Sequence, residues 1–96
     1  MARLKAMIES PNRDWIGRPQ PPAEYANGTR LFAYRALRSQ LTCAQITAAL
    51  AEIGTAAASF TTPVPGVSAQ QVRRVLVLNS EVQRELQAEF TARCKG

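Results

Sequence analysis

Leu41-Thr42-Cys43-Ala44-Gln45-Ile46 reads as a complete helix start. Thr42 is placed to cap the N-terminus, Gln45 to reach back to the Thr42 backbone, and Leu41 and Ile46 to staple the entry with an apolar contact. The same grammar returns at Val67-Ser68-Ala69-Gln70-Gln71-Val72, with Ser68 as cap, Gln71 at the third helical position and Val67 with Val72 as staple. After the first start, Cys43, Ile46, Leu50, Ile53, Ala57 and Phe60 recur at alternating spacings of three and four, which predicts a helix over about residues 43–60. After the second, Val72, Val75, Asn79, Val82 and Leu86 repeat that spacing and Phe90 extends it, predicting a helix over about residues 69–93. Valines at 72, 75 and 77 lower helix propensity, but the cap and the charged second half outweigh them. Thr61-Thr62-Pro63-Val64-Pro65-Gly66 cannot continue a helix, and so short a connection between two amphipathic helices implies an antiparallel hairpin.

Upstream of the hairpin, Leu31, Tyr34, Leu37 and Leu41 share one side of a further helix over about residues 30–40. Thr29 is its expected N-cap, and Arg30, Arg35 and Arg38 lie elsewhere on the cylinder. Residues 1–28 carry four of the six prolines, and proline interrupts both helices and sheet ladders. They read as an extended N-terminal arm, with one amphipathic turn at Leu4, Met7 and Ile8 and with Trp15, Ile16 and Tyr25 as its large apolar groups. The expected fold is therefore all-α: an extended Pro-rich arm, 1–28, then a small helical domain, 29–96, of three helices whose last two form the hairpin.

Ninety-six residues, 46% hydrophobic and 20% charged, leave room for one core. That core is expected to be thin, because the middle helix is rich in alanine. No apolar run approaches the roughly 20 residues of a membrane span or the roughly 7–15 of a secretory signal. The expected address is thus the cytoplasm or a larger particle. Glu9 and Asp14 argue against an organellar leader.

The sequence has no histidine and two cysteines 51 positions apart, so neither a zinc site nor a close-spaced redox pair is expected. In the hairpin, with Phe60 near Val72, Cys43 comes level with Glu89 and five residues short of Cys94. The offset is about 7 Å at a rise of about 1.5 Å per residue, against about 4.4–6.8 Å between bridged Cα atoms. Two readings stay open: a pair of reduced thiols, or a Cys43–Cys94 disulfide closed by fraying of the last turn.

Catalysis is not expected. No histidine is present to activate a nucleophile, no phosphate-cradling glycine loop occurs, and Glu81, Glu85 and Glu89 repeat at i+4 as a solvated face with Arg84 and Arg93 nearby. Neither a cofactor nor a small-molecule substrate is implied. The formal charge of +5 is concentrated before residue 39, where seven basic residues face three acidic ones. Arg30, Arg35 and Arg38 are the candidate phosphate contacts of a basic nucleic-acid-binding regulator. The tight turn at Leu41-Thr42 is only loosely similar to that of helix-turn-helix readers, and the helix after it has one acid and no Lys or Arg to grip phosphate.

Asn27-Gly28-Thr29 matches a glycosylation acceptor but reads better as a turn and helix start. Pro19-Gln20-Pro21-Pro22 fits the minimal PxxP pattern without a basic flank. The four successive apolar residues Val75, Leu76, Val77 and Leu78 point around the whole helix circumference, more than one neighbouring helix can cover. The favoured expectation is accordingly a non-enzymatic interaction or structural subunit of a larger assembly, such as a virion or multi-subunit complex. It would dock a protein partner or a second copy through Trp15 and Tyr25 of the arm and through Val75, Leu76, Val77 and Leu78.

Overall fold

The structure, a computed structural model, describes residues 15–18 and 20–94. The turn expected at Leu4, Met7 and Ile8 lies outside the described residues. Among the described residues every regular element is a helix: α1 (Pro22–Tyr25), α2 (Thr29–Leu37), α3 (Cys43–Ser59) and α4 (Ala69–Arg93). α3 packs along α4, and α2 lies against α4.

Both hairpin caps form as their local chemistry dictates. Thr42 Oγ1 accepts from the Gln45 N–H at 3.1 Å while the Thr42 N–H donates to Gln45 Oε1 at 2.9 Å. Ser68 Oγ accepts from the Gln71 N–H at 3.1 Å. Gln71 does not return the favour: its amide donates instead to the Ala26 carbonyl, tying the start of α4 to the chain ahead of α2. The hairpin's facing stripes meet in the core, where Ile46, Ile53, Val82 and Leu86 are fully buried. Leu31, Tyr34 and Leu37 of α2 and Leu41 beyond it complete that core.

α2 differs from its expected limits at both ends. Thr29 is its first helical residue rather than its cap, because the Asn27 side chain accepts from the Thr29 N–H at 2.8 Å and Gly28 turns with φ +79°. The helix stops at Leu37 instead of running to residue 40. The chain must reverse before the Thr42 cap, and the Gln40 and Leu41 N–H groups close a turn onto the Leu37 carbonyl. Within the segment expected as an extended arm, residues 15–17 form a turn and α1 a single helical turn. Pro22 is compatible with that because the first helical position needs no N–H donor.

Cys43 and Cys94 are joined by a disulfide with Cα atoms 5.7 Å apart. Continuing α4 to Arg93 and adding one capping residue brings the second cysteine back over the start of α3.

Candidate interaction surface

The aromatic residues expected as arm anchors are engaged within this chain. The Tyr25 hydroxyl, in the core, donates to Asn79 Oδ1, and Asn79 Nδ2 donates to the Ile53 carbonyl at 3.2 Å. One buried amide in the α4 stripe therefore joins α1, α3 and α4. Trp15 stacks on Tyr34 at a centroid distance of 5.3 Å and carries the Arg30 guanidinium over its ring at 5.6 Å. Gly17 closes this turn, with φ +79° and its backbone N–H donating to the Tyr34 hydroxyl at 3.1 Å. A Cβ at Gly17 would meet Ala48 Cβ at 2.9 Å, so residue type and close packing agree.

Glu52 organises the interior beneath that turn. Its carboxylate accepts from Arg30 at 2.7 Å and from the Tyr34 hydroxyl, while Arg30 also donates to the Arg18 carbonyl. Burial, together with the hydrogen bond to Glu52, pushes the Tyr34 hydroxyl well above its ordinary value. Burial likewise raises Tyr25, with the Glu52 charge adding to it. The hydrogen bonds of this cluster, with the ring contacts of Trp15 to Tyr34 and Arg30, fix the position of Trp15 against α2.

The three candidate phosphate contacts are all engaged with carboxylates. Arg30 is the buried partner of Glu52. Arg35 grips Glu85 through two bonds of 2.9 and 3.1 Å and reaches Glu81 at 3.4 Å, and Arg38 meets Glu85 at 3.3 Å. Glu85 beside it raises the Arg35 guanidinium above its ordinary value. The glutamate row of α4 is thus largely an inter-helix clamp, with Glu89 paired to Arg93 in the same helix. Arg93 also donates to the Arg38 and Leu41 carbonyls at 3.0 Å each.

The four apolar residues at the ring of α4 divide. Val75 is in the core, Leu76 and Leu78 are half-buried, and Val77 is 60% exposed. Val77 and Phe32 of α2, the latter 37% exposed, are the large exposed hydrophobic residues of the described chain. Both line one open groove of about 840 Å³ where the starts of α2 and α4 lie side by side. Leu78 and Gly28 also line it, and a Cβ on Gly28 would stand 3.2 Å from Leu78. Arg73 and Arg74 border it on one side of Val77 and Glu81 on the other, and neither arginine makes an ion pair among the described residues.

Phe32 and the two arginines were missed as site residues. Their signal was present, because Phe32 falls off the Leu31–Tyr34–Leu37 stripe and an aromatic there has no core to enter. Among the described residues no cluster of His, Cys, Asp and Glu could hold a metal ion, and no helix is long and apolar enough to cross a membrane. No family model, curated protein or solved structure matches the chain significantly.

Proposed function

We propose that the chain is a non-enzymatic protein-interaction subunit that docks through the groove between α2 and α4. The observation carrying this reading is that Val77 and Phe32, separated by 45 positions in sequence, expose their apolar side chains into the same groove. A large apolar side chain held in solvent beside arginines with no ion-pair partner among the described residues has the composition of a recognition surface, with an apolar centre and a charged border. Trp15 and Tyr25 support the groove rather than line it, since they hold α1 and α2 against the hairpin. Nucleic-acid binding through Arg30, Arg35 and Arg38 is the weaker reading, because each of these cations already faces a carboxylate.

Photo-crosslinking tests the proposal. Benzoyl-phenylalanine in place of Val77 should yield a discrete protein adduct in the cells that make the chain, and the same label in place of exposed Gln87 should not. Equal labelling from both positions, or adducts to nucleic acid alone, would remove the reading.

A further inference from the structure

The groove's charge pattern is self-complementary, and from it we propose that its occupant is a second copy of this chain, docked with the two α4 helices antiparallel about a two-fold axis at Val77. This rests on the docking reading above and names its partner. Gln70, Arg73, Val77, Glu81 and Arg84 follow one another at spacings of three and four along α4, so they share one stripe. In a pairing centred on Val77, the residue four positions before the centre faces the residue four positions after it. Arg73 then meets Glu81 of the second copy, and by symmetry Glu81 meets the second Arg73. The parallel arrangement would instead set Arg73 against Arg73 and Glu81 against Glu81, which like-charge repulsion disfavours. At the centre Val77 meets its own equivalent, with Leu78 and Phe32 beside it to be covered from both copies.

Each side chain is available for that role. Arg73 and Arg74 are exposed and have no carboxylate partner among the described residues. Glu81 keeps 41% of its side chain exposed, and its contact with Arg35 is the longest that Arg35 makes. Arg35 holds Glu85 by two shorter bonds, so Glu81 can turn toward a second copy without releasing α2 from α4. From Gln70 to Arg84 the stripe is about 20 Å long at about 1.5 Å per residue. A patch of that length places the pair among reversible, concentration-dependent dimers rather than obligate ones.

Sedimentation velocity on the full chain over a wide concentration range tests the pairing. The unmodified chain should shift from monomer to dimer as concentration rises. R73E and E81R should each weaken the dimer by about tenfold or more, since each turns two attractions into two repulsions. The double variant R73E/E81R should restore it to within about threefold, because the pairs reform with exchanged sign. Circular dichroism and thermal melting of each variant show that the helices are intact, and V77D, at an exposed position, supplies a second disruptor. A chain that stays monomeric throughout, or a dimer indifferent to R73E and E81R, overturns the second copy. In either case, a position-77 adduct to a different protein keeps the groove as a docking site with another occupant. No adduct at all removes both readings.

Discussion

At the end of the bundle where α3 begins and α4 stops, every element is tied to another: Cys43 is bonded to Cys94, Arg93 caps the Arg38 and Leu41 carbonyls, and Arg35 and Arg38 share Glu85. At the end where α2 and α4 begin, Phe32 and Val77 stay exposed and Arg73 and Arg74 find no partner within the described residues. The two ends use the same residue types to different effect. A cation opposite a carboxylate of its own chain closes a fold, whereas a cation with none nearby leaves a surface that another molecule can satisfy. Between the ends lie Asn79 and Glu52, whose hydrogen bonds hold the aromatic residues inward.

The contrast can be broken most severely at the closed end. Replacing Cys43 and Cys94 together by serine should cost about 4 kcal/mol in the chain-entropy description of a loop this long, read as a lower urea midpoint. Reduction of the unmodified chain should reproduce that loss. Next comes the middle of the bundle: Asn79→Ala leaves the buried Tyr25 hydroxyl without its acceptor, removes the second bond to the Ile53 carbonyl and opens a small cavity, and should cost about 3 kcal/mol. Asn79→Asp keeps an acceptor for Tyr25 and should lose the donor to Ile53, which separates the two bonds in the same unfolding measurement.

Tyr34→Phe is the third step, at about 2 kcal/mol, because Glu52 loses a donor and the Gly17 N–H its acceptor. It also carries a pH signature. The folded chain holds the Tyr34 proton beyond the ordinary value of 10.0, so above that pH the unfolded chain has released a proton the folded one retains. The contribution of Tyr34 to stability is full below its ordinary value of 10.0 and is lost as pH rises past it. The Tyr34→Phe chain should show a shallower alkaline fall, measured by thermal melting at pH 9 and above, and a fall of unchanged steepness would contradict the network. The smallest effect belongs to the open end: Val77→Ser should change monomer stability by less than about 0.5 kcal/mol, as expected at a mostly exposed position. A large loss there would mean that Val77 is packed and the groove closed.

What the sequence made legible was whatever is decided within a turn or two of helix. The Thr42 and Ser68 caps, the alternating stripes and the Pro-Gly connection all depend on residues within four positions of one another, and the hairpin follows from them. The disulfide was open to either reading, since it depends on where the last turn of α4 ends. Less was legible where the deciding partner is remote. Tyr25 looks like a free anchor until Asn79, 54 positions away, is brought to its hydroxyl. Arg30 looks like a phosphate contact until Glu52, on the next helix and 22 positions away, pairs with it. Phe32 shares a groove with Val77, 45 positions away, only once the fold sets α2 beside α4.

The disulfide also gives the hairpin the topology of a ring. Residues 43–94 form one closed loop of covalent bonds containing both long helices and the Pro-Gly connection between them. A cut in the exposed backbone near Gly66 opens that ring into a single linear strand without producing a separate piece, so neither helix can diffuse away from the other. Strand exchange between copies by way of the connection is blocked for the same reason, since swapping one helix would require a bond to break first. The two long helices of each copy therefore meet a second chain as a finished pair, each ring intact.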